Sequence, residues 1–406
     1  MSGSGDELGH GGRRVLVIVA LAVAMALGIL PMFAIGLLGP FLIDDLEISR
    51  ADLGVLVAVV AGVSAVLSPV AGAIVDRIGD RGAVLAVLAT GAVSLALMAA
   101  ATTFLAMSFA LAIAGLARSG ANPATNRLIT ARIPRGRRGW ITGVKQSGET
   151  VAIVLAASTL PAAAVLWGWR APLLVLAFAA AVTLIGAALS IAGTHRIADH
   201  AATAAERRMP SSIQWLNAYN LVMGAGTGAI TAYLPLYAHQ VGGLGDAAAG
   251  AVMIAAGVTG GVARLLWSRW SEVRWGFPGS LSGLAVVAVI SCAILLAAPQ
   301  IGPAAYWIGA AIWGIGGLGF GAVSMLAAMA ESHDTSAGRA SGLVVFWFSL
   351  GFTVSPPAFG WLLERTDSYD PGLWSLVALY LVAAVIMAVS RGAFRPLAPA
   401  VNVESH

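Results

Sequence analysis

The sequence predicts an all-α membrane protein of twelve transmembrane helices in two pseudo-symmetric six-helix bundles. Three observations predict it. The 406 residues are 59% hydrophobic and only 10% charged, against roughly 25% charged in ordinary soluble domains. Apolar stretches near 20 residues, the length that crosses a bilayer as a helix, recur twelve times. The chain also repeats itself across its midpoint. Gly72-Ala-Ile-Val-Asp76-Arg77-Ile-Gly79 recurs in worn form as Ser268-Arg-Trp-Ser-Glu272-Val-Arg274. The offset there is 196, which also relates Gly54 to Gly250, whereas Gly139 and Gly143 match Gly338 and Gly342 at 199.

In chain order, residues 1–12 are Gly/Ser-rich and are expected to be a disordered tail. The first six spans are expected near 14–39, 52–75, 82–102, 104–131, 140–166 and 171–193, forming an N-terminal bundle over 13–193. Segment 194–212 is the one long polar break and reads as a linker. Six further spans near 213–239, 247–269, 278–298, 302–330, 338–363 and 371–391 form a C-terminal bundle over 213–392, with a tail at 393–406. Ser49 and Asp52 have the spacing of a helix-opening capping box. Prolines within spans are tolerable where neighbouring helices compensate the lost hydrogen bonds. Trp140, Trp167, Trp169, Trp215, Trp270, Trp361 and Trp374 fall where interfacial belts are expected.

Charge orients the spans. With both termini in the cytoplasm, 16 Lys/Arg fall on the inner side and only Arg50, Arg170 and Arg365 outside, while Arg118, Arg127, Lys145 and Arg264 lie within spans. Such asymmetry satisfies the positive-inside rule, and places the chain in a cell inner (plasma) membrane. The net charge of +4 is therefore a topological signal and not a nucleic-acid one. The lone Cys292 allows no disulfide, His239 and His333 lack metal-ligand company, and the single lysine, Lys145, is followed by Gln146, which excludes a phosphate-binding loop. No nucleophile–base constellation suggests an enzyme. The glycines of Gly314-Ile-Gly-Gly-Leu-Gly-Phe-Gly321 lack the preceding strand that a dinucleotide site needs, and read as helix-packing positions.

The loop Gly72-x-x-x-Asp76-Arg77-x-Gly79, followed by Arg81, resembles the signature of the major facilitator superfamily, departing from it at Asp80, where a basic residue is usual. Gly115-Leu-Ala-Arg-Ser-Gly120 with Pro123 resembles that superfamily's fourth-span pattern. Gly143-Val-Lys-Gln-Ser-Gly148 and Gly168-Trp169-Arg170 are similar to stretches in its cyanate-permease-like and organic-anion branches. The resemblance, over about residues 14–392, implies two bundles rocking about a central cavity lined mainly by spans 1, 4, 7 and 10. It implies a conformational latch of Gly72, Asp76, Arg77 and Arg81, with a degraded copy at Glu272 and Arg274. In that picture Asp76 accepts hydrogen bonds from the amino end of a helix in the other half, near Gly338.

Ions inside a membrane cost at least about 2.5–3.5 kcal/mol each on insertion scales and mark functional positions. Arg118 stands about 14 residues, or ~20 Å, into span 4, with Asn122 and Asn126 on the same face; its planar fork suits a carboxylate. Arg127 reads as latch or snorkel. Lys145 and Glu149, four apart on span 5, either form a local ion pair or contribute to the cavity, where Glu149 would carry a coupling proton and pair with Arg118 or Lys145. Arg264 has a position like that of an eighth-span arginine of monocarboxylate transporters, and equally suits a structural tie to Glu272. Gln146, Asn217, Asn220, Tyr233 and Trp313 are further cavity candidates, and Phe346, Trp347 and Phe348 could form a hydrophobic gate. The three span cations Arg118, Lys145 and Arg264 outweigh Glu149, and a positive cavity favours anions. The leading expectation is a monomeric, proton-coupled secondary transporter of a small carboxylate-type anion, without cofactor or metal. A multidrug exporter of the same fold and a non-transporting membrane sensor are the alternatives. The exporter is disfavoured because span 5 runs Gly148-Glu149-Thr150-Val151-Ala152, without the Gly-x-x-x-Gly-Pro pattern usual there.

Overall fold

The computed structural model describes residues 4–133, 135–191, 193, 210–331 and 337–394. Twelve helices among them are long and apolar enough to cross a membrane: Val15–Leu37, Arg50–Val75, Arg77–Ala100, Phe104–Ile129, Gly148–Trp167, Arg170–Ser190, Ser211–Gln240, Asp246–Trp270, Gly276–Ile301, Pro303–Glu331, Gly342–Thr366 and Asp370–Ala393. They are called spans 1–12 below. Span 1 continues a helix that begins at Ser4, inside the tail expected to be disordered. Extending an existing helix is far cheaper than nucleating one. An eight-residue helix, Gly39–Leu46, follows span 1 and was not expected. The end of the molecule at which span 1 begins and span 12 ends is called the terminal end, and the opposite one the distal end.

Helix boundaries follow local chemistry. Ser49 accepts from the Asp52 N–H and Asp52 from the Ser49 N–H, so the expected capping box opens span 2. Thr103 caps span 4 through the Ala106 N–H at 3.2 Å. Spans 2 and 3 meet at Gly79, with φ 80° and ψ 171°, and spans 8 and 9 meet at Gly276, with φ 68° and ψ 169°. Side chains rarely adopt such positive φ, so both turns call for glycine. The two turns are the same device in each half, at an offset of 197. The extra residue relative to the 196 of Asp76 and Glu272 lies in a π-helical turn, Ser271–Trp275. A second π turn, Gly314–Leu318 in span 10, supplies another of the residues that carry the offset to 199. Each π turn holds one more residue per hydrogen-bonded ring than an α turn.

Across the midline, span 2 packs on span 11, span 5 on span 8 and span 1 on span 7. Small residues permit the approach. A Cβ on Gly36 would strike the Thr231 carbonyl, one on Gly54 the Pro356 carbonyl and one on Gly250 the Pro161 ring. Within the halves, Gly148 lies against the Ala22 backbone and Gly351 against that of Leu221. Of the expected belt tryptophans, Trp167, Trp215, Trp270, Trp361 and Trp374 are exposed, as interfacial anchors require. Trp169 is buried instead, with the Arg170 guanidinium 4.2 Å from its ring centre. The side chain of Trp140 lies outside the described residues.

Candidate substrate site and coupling pair

The site is built by one packed seam. On span 8, Gly250, Gly257 and Gly261 face span 5, where they oppose Pro161, Ile153/Val154 and Thr150 in turn. Spacings of seven and four keep these glycines on one helix face, and Arg264, three residues after Gly261, continues it. Close backbone approach therefore delivers Arg264 to Glu149. The Nη1 of Arg264 stands 3.3 Å from Oε2 of Glu149, and both side chains are about one-fifth exposed, at 21% and 20%. A second anchor holds the guanidinium: its Nε donates to the Leu318 carbonyl at 3.2 Å, in the π turn of span 10. The neighbouring Gly317 carbonyl accepts from Thr227 of span 7.

Span 4 supplies a further guanidinium. Arg118 donates from Nη1 to the Gly28 carbonyl of span 1 at 3.2 Å. Its Nε is buried with no hydrogen-bond partner among the described residues. An orphaned buried donor on a guanidinium is costly, and an acceptor brought by a ligand would relieve it. Glu149 lies near enough to act electrostatically on both Arg118 and Lys145.

Lys145 departs from one of the two readings open to it. It forms no local ion pair with Glu149; its Nζ donates to Asn126 Oδ1 at 2.6 Å, Thr125 Oγ1 at 2.9 Å and Asn122 Oδ1 at 3.3 Å. Those bonds use all three ammonium protons, and the side chain is only 1% exposed. Lys145 lies on the helix Arg135–Trp167 that continues into span 5, and clasps that helix to the Pro123 region of span 4. Thr125 was missed by the sequence reading, although its place between Asn122 and Asn126 on one helix face was the available signal. Arg264 is likewise tied to Glu149, whereas Glu149 was expected to pair with Arg118 or Lys145.

Other candidates disperse. Tyr233 belongs to the distal seal, its hydroxyl donating to the Arg50 carbonyl at 2.6 Å. Trp313 is fully buried inside the C-terminal half and donates from Nε1 to the Tyr380 hydroxyl at 3.1 Å. Asn220 is buried and donates to the Leu216 carbonyl one turn back. Asn217 is half-buried, with an Oδ1 that has no partner among the described residues. Phe346, Trp347 and Phe348 are half-buried. The side chains of Gln146, Asp76 and Glu272 lie outside the described residues. Gly72 has open space where a Cβ would go, and Arg77 and Arg274 are exposed. Arg81 donates to the Ala188 carbonyl of span 6 at 2.9 Å, and the unexpected acid Asp80 is buried against Arg132 Nε at 2.6 Å. That arginine comes from the end of the helix that carries span 4. His239 contacts Asp246, and no group of three or more metal-ligating side chains occurs among the described residues.

Comparison with known proteins agrees with this architecture. A family model described as Major Facilitator Superfamily matches residues 16–356. Two proteins of Mycobacterium tuberculosis, from strains CDC 1551 / Oshkosh and H37Rv, are each described as an uncharacterized MFS-type transporter. Both are 26% identical over 401 residues, covering 94% of this chain and 86% of theirs. Among solved structures, a point mutant of the nucleoside transporter NupG superposes with a TM-score of 0.74 at 13% identity, over 92% of this chain and all of that one. A bacterial homologue of the human lysosomal transporter Spinster, described as inward-facing and occupied, gives 0.72 at 16% identity, over 94% and 97%. At such identities the likeness is one of fold.

Proposed function

This chain belongs to the Major Facilitator Superfamily, and we propose that it carries a small anion of the carboxylate type across the cell inner (plasma) membrane, coupled to protons. The observation that carries this reading is the Glu149–Arg264 ion pair, which joins the two halves beside the partly unsatisfied Arg118. An arginine held by a carboxylate of its own chain can be claimed by a carboxylate from outside once that internal acid takes a proton. Glu149 is then the proton-binding residue, Arg264 the group that exchanges partners, and Arg118 the fixed anchor on the N-terminal half. A bidentate guanidinium–carboxylate contact is among the stronger polar interactions available. Rocking separates spans 5 and 8, so the cross-half pair can persist in only one of the two states.

The excess of arginines on loops at the terminal end supports a cytoplasmic placement of both termini. The protein acts as a monomer in this reading, with Asp76, Arg77 and Arg81 as the cytoplasmic latch. A thermal-stability screen of the purified protein tests the substrate class. Small carboxylates or inorganic anions should raise the melting temperature and lose that effect in Arg118→Ala. Stabilisation by lipophilic cations alone would refute the anionic site and favour an exporter. A stabilising anion that shows no counterflow in proteoliposomes would indicate a sensor.

A further inference from the structure

The amino end of span 2 is satisfied by the wrong half of the protein. Its first-turn N–H groups have no acceptor in their own helix. The Asp52 N–H is taken by the Ser49 hydroxyl and the Leu53 N–H by the Ser49 carbonyl. The Ala51 N–H donates instead to Oε1 of Glu364 at 2.9 Å, on span 11. Beside it, Nη1 of Arg50 meets Oδ1 of Asp367 at 3.0 Å, and the Arg50 carbonyl accepts from the Tyr233 hydroxyl of span 7. Three polar ties therefore bind residues 50–51 to span 11, to the residue that follows it and to span 7.

Glu364 is also misplaced with respect to its own helix. Span 11 ends at Thr366, so Glu364 stands in the last turn, where the helix dipole disfavours negative charge. The amino end of span 2 favours it. Asp367 follows at φ 45°, a left-handed helix stop at which glycine is the usual residue. What an aspartate gains there is the contact to Arg50. Both acids thus have partners while the distal end is closed, and Glu364 would face its own helix's negative end if the halves parted. Packing makes the ties act together: a Cβ on Gly360 would strike the Tyr233 hydroxyl and the Ala51 backbone, and one on Gly54 the Pro356 carbonyl.

We propose that Glu364 is a gating residue of the transport cycle: with Arg50 and Asp367 it forms a distal latch that holds spans 2 and 11 together and biases the resting protein toward the distal-closed state. The device is the counterpart of the latch implied for Asp76. At one end a span 2 acid would reach the amino end of span 11; here a span 11 acid reaches the amino end of span 2.

The test needs no substrate. Spin labels at Thr102→Cys and Ile301→Cys, exposed positions on opposite halves at the distal end, are introduced with Cys292→Ala, and the protein is placed in lipid nanodiscs. The parent should give one dominant separation. Glu364→Ala should raise the ratio of a longer, distal-open population about tenfold, the equivalent of ~1.4 kcal/mol. Arg50→Ala should move it in the same direction. Glu364→Gln, which keeps the shape and a neutral acceptor, should fall between parent and Glu364→Ala while eluting and melting as a folded protein. An unchanged distribution in Glu364→Ala would overturn the proposal, whatever Arg50→Ala does.

Discussion

Replacing Glu149 by Gln removes one negative charge and little volume. In the parent, Arg264 is held by Glu149 at 3.3 Å and by the Leu318 carbonyl. A charge-assisted hydrogen bond contributes roughly 1.5–3 kcal/mol. The separation is longer than the 2.7–2.9 Å typical of strong pairs, so the lower bound applies, about 1.5 kcal/mol or roughly tenfold in an equilibrium constant. A carboxylate ligand that must displace Glu149 from Arg264 pays that cost in the parent and not in the variant. Glu149→Gln should therefore bind the stabilising anion up to about tenfold more tightly, measured by calorimetry. Coupling should fail in the same protein. A gradient of one pH unit supplies about 1.36 kcal/mol per proton, enough for about tenfold accumulation at one proton per substrate. In proteoliposomes the parent should accumulate labelled anion under that gradient, whereas the variant should equilibrate it and retain counterflow. Accumulation by Glu149→Gln equal to the parent's would refute the assignment of coupling to this pair.

Arg118→Ala should reach the membrane in normal amounts and lose anion uptake, because the fixed anchor on span 4 is gone; normal uptake would place the substrate elsewhere. Gly148→Ala should lower the melting temperature, since its methyl would meet the Ala22 carbonyl and overpacking typically costs about 1–3 kcal/mol. Gly72→Ala, with open space around it, is the control and should melt as the parent does. Asp45, on the short helix outside the spans, accepts from Arg170 at 2.8 Å, which holds its carboxyl below the ordinary 3.8. A depressed carboxylate contributes stability above its unfolded value and loses it as pH falls through the folded one. The small melting difference between parent and Asp45→Asn should therefore be present at neutral pH and shrink below about pH 4.

The spans, the capping box and the duplication were legible because each rests on local pattern: apolar length, a Ser-x-x-Asp spacing, a repeated loop. Even the π turns had left a trace, in the drift of the repeat offset from 196 to 199. The pairing of Glu149 with Arg264 was not legible, because it depends on how two helices 115 residues apart are rotated against each other. Gly250, Gly257 and Gly261 were the available signal, a small-residue face that leads straight to Arg264. The places of Tyr233 and Trp313 were not legible for a related reason. An amphipathic ring on a span serves equally well in a cavity, a seal or a bundle core, and composition does not distinguish them. Lys145 looked like half of an ion pair because Glu149 is four residues away, but span 4 offers it three acceptors in closer reach.

The unmatched ions explain why a duplicated machine has a one-sided site. At an offset of 199, Arg118 corresponds to Gly317, where a Cβ would strike the Trp313 indole; the C-terminal half fills that place with an aromatic plug. At 196, Arg264 corresponds to Ser68, whose hydroxyl only bonds back to the Ser64 carbonyl. Each half thus contributes charge where the other has none, and the sign of each contribution should matter. Exchanging the pair, Glu149→Arg with Arg264→Glu, preserves an ion pair in outline. It also sets the new arginine within the field that Glu149 now exerts on Arg118 and Lys145, turning two attractions into two repulsions. Like charges that close in a low-dielectric interior are strongly unfavourable. The exchanged protein should consequently melt below the parent and carry no anion, despite its restored salt bridge. Melting and uptake at the parent's level would show that only the pairing counts, and the positive cavity would have to be abandoned.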